Sequence, residues 1–167
     1  MDLFALTPAT HLHGLRHFFY GLVAAGVLLA LTGLYAAPVG FILLGLAPYL
    51  GPGLYLHAEY YRRNRHTAVA AFADRLEVTQ AGATVVLPYA ELEAVELHAA
   101  GAAYLQIEWE NYAFQAYHYL KIRHRGRTYL LTSLLAKRPL EQAFPQLLAA
   151  TAGRYTRHKR FMASSLD

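Results

Sequence analysis

From Phe18 to Ala58 the chain runs 41 residues without an Asp, Glu, Lys or Arg, and His57 is the one group there that titrates near neutrality. No other feature narrows the choice of fold as much. The hydrocarbon core of a bilayer is about 30 Å thick and is crossed by a helix of about 20 apolar residues. The stretch is too long for one span and suits two. Ala36-Ala37-Pro38-Val39-Gly40 supplies the break, because Pro38 cannot continue a helix and Gly40 accepts a turn. The sequence therefore predicts a transmembrane hairpin, with helices over about 17–36 and 39–58. A buried helical hairpin in a globular protein is disfavoured, since core helices are seldom apolar all round for so long. A cleaved signal peptide is disfavoured by Asp2 and by the lack of Lys or Arg before Arg16.

Lys and Arg placement gives the orientation. Arg16 precedes the first helix, Arg62, Arg63 and Arg65 follow the second, and the connecting loop has none. The positive-inside rule then predicts both termini in the cytoplasm. Gly26, Ala30 and Gly33 fall on one face of the first helix, the kind of small-residue face on which helices pack in lipid. Pro48 and Gly51-Pro52-Gly53 predict a kink in the second.

The remaining residues suffice for one small domain. Residues 1–15 have little pattern and suit either a short interfacial helix or a loosely ordered terminus. Beyond Thr67 the pattern shortens and alternates. Arg75–Thr79, Thr84–Leu87, Ala94–His98, Leu105–Trp109, Tyr119–Arg123 and Thr128–Thr132 read as strands, with turns at Ala81-Gly82, Gly101 and His124–Arg127. Leu140, Ala143, Phe144, Leu147 and Leu148 form one apolar stripe of a helix, kinked at Pro145. A basic tail follows, with Arg154, Arg157, His158, Lys159 and Arg160. The expected division is an N-terminal segment 1–15, a hairpin 16–66, a domain 67–153 and a tail 154–167.

A two-helix hairpin, then short strands, then one amphipathic helix resembles the bacterial membrane-anchored PH-like domain proteins. The residues that carry the resemblance are Asp74-Arg75-Leu76-Glu77-Val78 before the Gly82 turn and Val85-Val86-Leu87-Pro88-Tyr89-Ala90-Glu91-Leu92-Glu93-Ala94-Val95-Glu96-Leu97 after it. The resemblance covers about residues 15–150. It implies an α+β membrane protein of a bacterial inner membrane, with a small antiparallel PH-like β-barrel closed by a C-terminal amphipathic helix. The Gln80-Ala81-Gly82-Ala83 loop lacks the paired basic residues of phosphoinositide-binding PH domains, so inositol-phosphate binding is not implied.

Chemistry is sparsely signalled. The chain has no cysteine, which excludes disulfides and thiolate metal sites and leaves His, Asp and Glu as ligands. Among nine histidines, His17 and His57 fall at one level of the hairpin, near His11 and His13, and are candidate haem or metal ligands. No cofactor is expected otherwise. Glu108, Glu110 and His118, with Tyr104, Tyr112 and Tyr117, suit either a carboxylate and histidine cleft or, as the favoured reading, the outward face of a strand pair. No nucleophile elbow, phosphate loop or zinc-protease motif is present. Arg62, Arg63 and Arg65, then Lys121, Arg123, Arg125 and Arg127 around one hairpin tip, are candidate contacts to anionic lipid headgroups. A net charge of +4 in a membrane-held chain argues against nucleic acid. The expected function is a non-enzymatic interaction or scaffolding module, a possible homo-oligomer, that binds a protein partner or an anionic lipid surface. The alternative is a small accessory subunit of a larger membrane complex, redox in kind if His17 and His57 hold a haem or metal.

Overall fold

The computed structural model describes residues 2–33, 39–100, 114, 117–160 and 162–164. The turn at Pro38, the strand expected at Leu105–Trp109, and Tyr104, Glu108, Glu110 and Tyr112 lie outside them, as does the side chain of His17. Strand β1 (Asp2–Ala5) leads into helix α1 (Pro8–Gly33), and α2 (Val39–Asn64) returns to it. Strands β2 (Thr67–Ala71), β3 (Arg75–Gln80) and β4 (Ala83–Pro88) follow, then β5 (Ala94–Ala100), β6 (His118–His124) and β7 (Arg127–Thr132). Two short helices, α3 (Leu140–Ala143) and α4 (Pro145–Ala150), precede the last strand, β8 (Tyr155–Arg160).

The strands form two four-stranded sheets, ordered β1-β2-β3-β4 and β7-β6-β5-β8. Every pairing is antiparallel except β5 with β8. Period-two alternation turns one face of each sheet inward. Phe4, Val69, Leu76, Val78 and Leu87 from the first sheet meet Val95, Leu97, Leu120, Ile122 and Leu131 from the second. Leu140, Ala143, Phe144 and Leu147 join the same core, so the expected apolar stripe is buried. Two of the predicted turns are two-residue hairpin loops. Ala81-Gly82 and Arg125-Gly126 have positive φ at both positions (50° and 85°, 50° and 70°), as a type I′ turn requires.

The barrel expectation fails. The sheets face each other without closing, because the chain after β4 does not pair onward. Pro88 and the 3-10 turn at Tyr89–Glu91 carry it across to the second sheet. The closing C-terminal helix is also absent as one element. Phe144 leaves helical geometry (φ −124°, ψ 54°) and Pro145 starts a new helix at the position where a missing N–H costs nothing. The first and last segments are strands. β1 pairs with β2, and the basic tail, as β8, pairs with β5. Residues 67–153 therefore lack one strand of each sheet.

The membrane reading is overturned too. Among the described residues no single helix is long and apolar enough to cross a membrane, so a multi-pass inner-membrane protein with both termini cytoplasmic is not supported. Helix α1 bends by 43° between Pro8–Arg16 and Phe18–Leu31. Its apolar limb, at about 1.5 Å per residue, spans roughly 21 Å, short of the roughly 30 Å required. Helix α2 buries Leu56, His57, Tyr60 and Asn64 near its C-terminal end. Freedom from charge recorded hydropathy but not what covers each face. Pro48 and Pro52 sit within one continuous helix. A Cβ at Gly26 meets nothing within 4 Å, and among the described residues the buried positions of the apolar limb are instead Phe18, Gly21 and Ala25.

Candidate functional site

The hairpin base packs on the outer face of the second sheet. Phe18, Leu56 and Tyr60 cluster there with Phe114, Tyr117, Tyr119, Leu134 and Ala163. Only two residues separate α2 from β2, so the base is part of the globular body.

Three buried polar connections fix it. The first is a directed hydrogen-bond chain. The Tyr117 hydroxyl donates to the carbonyl of Gly14 at 3.1 Å, which commits its proton. His57 Nδ1, 2.8 Å from the same hydroxyl, must then donate to it. His57 Nε2 is left as an acceptor and receives the proton on His11 Nδ1 at 3.1 Å. Burial, then the neighbouring His11, pushes the His57 pKa down to about 4, so the neutral ring is the resting form. Gly14 is required by close approach: a Cβ there would stand 2.5 Å from Leu134 Cδ2. The second connection is Asn64, fully buried at 0% exposure. Its Oδ1 accepts from the backbone N–H of Thr132 at 3.2 Å and from the Thr132 hydroxyl. The third is the C-terminal segment, where Ala163 accepts from the Tyr60 hydroxyl at 2.6 Å and Ser164 donates to Glu59 at 3.0 Å.

The arm above this base is different. Phe19, Leu22, Val23, Val27 and Leu31 are 52–66% exposed. They recur at helical spacing on one side of α1, adjoining the buried line of Phe18, Gly21 and Ala25. Leu54 and Tyr55 of α2 are also exposed. Arg16, Arg62, Arg63 and Arg65 lie exposed toward the base end of the two helices. Beside the base, a cleft of about 250 Å³ is bordered by His13, Arg16, His118, Lys137 and Arg138. Burial, Arg16 and Lys137 lower the His13 pKa.

The predicted site residues divide. Arg62, Arg63 and Arg65 share a surface depression with Tyr55 and Glu59. The β6–β7 tip does not present a single basic patch. Arg123 pairs with Glu96, Arg125 with Glu91 at 2.8 Å, and Lys121 lies 4.0 Å from Glu96. Arg127 falls on the other face, in a depression with Val78 and Tyr129. Glu91 and Glu96, given no role of their own in the sequence, supply these partners. His57 has both ring nitrogens engaged by His11 and Tyr117, which leaves neither open to a haem or metal. Sequence reading missed the link from Asn64 to Thr132, and it missed Lys137 and Arg138, which no local pattern ties to the hairpin.

No protein-family model, curated protein or solved structure matches the chain. Nothing in these comparisons supports the PH-like resemblance, and functional inference rests on the geometry above.

Proposed function

We propose that this protein is a non-enzymatic docking module whose α1 arm binds the apolar face of a protein partner. The observation that carries the reading is the stripe of Phe19, Leu22, Val23, Val27 and Leu31, exposed over about 18 Å of helix at roughly 1.5 Å per residue. Contiguous apolar surface on this scale marks an interaction face more often than idle exposure, and an apolar helix stripe fits a groove or a second helix. The rigid base supports the reading, because it presents the arm in one direction at little ordering cost. Arg16, Arg62 and Arg63 favour a partner whose apolar face is bordered by acidic side chains. The redox-subunit alternative gains nothing at His57, whose nitrogens are already bonded.

The test is site-specific photocrosslinking in cells, with a benzophenone side chain at Val23 and, as control, at Gly153. The expected result is a discrete heavier protein adduct from Val23 alone, lost when Leu22 and Val27 are changed to Glu. An adduct of two copies of the chain would make the partner the protein itself. Adducts to lipid only, or equal adducts from both positions, would overturn the reading.

A further inference from the structure

The outer face of the second sheet carries a cluster that the docking reading does not use. Glu96 and His98 are two apart on β5, so their side chains share a face. The parallel register of β8 sets His158 directly beside His98. His98 Nε2 lies 3.2 Å from Glu96 Oε2, and His158 Nε2 lies 4.0 Å from the same oxygen. All three candidate donor atoms fall within 4.8 Å of one another. The imidazoles of His98 and His158 stack at 4.7 Å, and the other face of His98 stacks on Tyr119 at 4.6 Å.

We propose that Glu96, His98 and His158 form a binding site for a divalent transition-metal ion of the zinc type. Two imidazole nitrogens and one carboxylate oxygen are a donor set that such borderline ions prefer. With bonds of about 2.0–2.2 Å, tetrahedral donors stand roughly 3.3 Å apart. The Glu96–His98 pair already meets this spacing, and His158, 46% exposed at its side chain, is the ligand that moves to close the site.

The surroundings divide the labour within Glu96. Arg123 engages Oε1, while Oε2 faces both histidines. That outer contact orients the carboxylate, as hydrogen-bond partners of metal-ligating groups do. Burial works against the charge of Glu96, but His98, Arg123 and Lys121 hold its pKa below the usual carboxylate value. Lys121 Nζ, 4.0 Å from Oε2, is the resting counter-charge that an incoming cation displaces. Tyr119 restrains the His98 ring from the side away from His158. Three protein ligands leave a coordination position for water or for a donor from a bound molecule.

The experiment uses the full-length protein stripped with chelator, then titrated with Zn²⁺ by calorimetry and with Co²⁺ by visible absorption. One ion per chain is expected, with a Co²⁺ spectrum of a nitrogen and oxygen site. His158→Ala, at an exposed position, and Glu96→Gln should each weaken binding at least tenfold and abolish that spectrum. His66→Ala, an exposed histidine outside the cluster, should leave both unchanged. Absence of saturable binding overturns the proposal. So does binding that survives both His158→Ala and Glu96→Gln, which would place the ion at other histidines. Circular dichroism of each variant, matching the parent, keeps a folding defect from mimicking a lost ligand.

Discussion

Among the described residues there are two buried clusters, and they are built on different chemistry. Between the sheets, Val69, Leu76, Val78, Leu87, Val95, Leu97, Leu120, Ile122 and Leu131 interdigitate with Phe4 and Phe144, and aliphatic shape does most of the work. At the hairpin base, Tyr60, Tyr117 and Tyr119 bring hydroxyls into the buried layer, where His57, Asn64 and Thr132 are also buried. An apolar core tolerates many arrangements of similar volume. A buried polar network accepts only the arrangement that satisfies every donor and acceptor. The first cluster thus holds the sheets together, while the second fixes how the hairpin sits on them.

The largest contrast should come from Phe144. Its ring is 1% exposed and lies 4.7 Å from that of Phe4. Phe144→Ala should cost about 3–5 kcal/mol, measured as a shift in the urea midpoint at unchanged slope. A loss below about 1 kcal/mol would show that the inter-sheet core collapses around the gap, and the distinction between the clusters would narrow.

Acid should attack the base and spare the core. His57 titrates at about 4 in the folded protein, against 6.5 for the free side chain. Between those values the unfolded chain takes up a proton that the folded one refuses, so stability falls as pH drops. The contribution is intact above pH 6.5 and lost progressively down to about pH 4, amounting to at most about 3 kcal/mol. His57→Gln should flatten the slope of stability against pH in that window. An unchanged slope would remove His57 as its source.

Legibility followed the same division. β3, β6, β7 and their turns were readable because alternation, and glycine at a position of positive φ, are local signals. The stripe from Leu140 to Leu148 was readable as buried, and Pro145 marked where it breaks: the residue before a proline is driven out of helical geometry, and Phe144 goes far enough to split the expected kinked helix in two. β1 and β8 were invisible because each borrows its partner from far along the chain. The uncharged stretch misled for a related reason: a helix that buries one line against protein and exposes another has the composition of one surrounded by lipid. Of the sites, the hairpin-tip cations were visible, but their acids Glu91 and Glu96 were not tied to them. The Glu96–His98–His158 cluster depends on a parallel register that no local period encodes.

Asn64 should have an intermediate effect. Asn64→Ala strands the Thr132 N–H and hydroxyl, which it now satisfies, at a cost of about 1–3 kcal/mol. Amide exchange should localise the loss: protection of Thr132 falls, while that of Leu120 and Ile122 in the core strand β6 follows only global stability. Equal losses at all three would mean the base and the core unfold as one unit.

The smallest effect belongs to neither cluster. Ala81 holds φ at 50° in the β3–β4 turn, a region that costs a residue with a Cβ about 1 kcal/mol. Asn tolerates it better, and Asn-Gly is the favoured pair for this loop. Ala81→Asn should therefore stabilise by about 0.5–1 kcal/mol. Arg125 has the same φ of 50° in the β6–β7 turn, but its side chain pairs with Glu91. Arg125→Asn relieves the same strain and loses an exposed ion pair worth about 0.2–1 kcal/mol. The two variants share a backbone change and differ in that pair. Thermal unfolding should place Ala81→Asn above the parent and Arg125→Asn close to it. High salt, which screens the pair in the parent, should draw the two variants' gains together. If Ala81→Asn fails to raise the midpoint, the turn is not strained, and the hairpin register Gln80↔Ala83 is held by the strands alone.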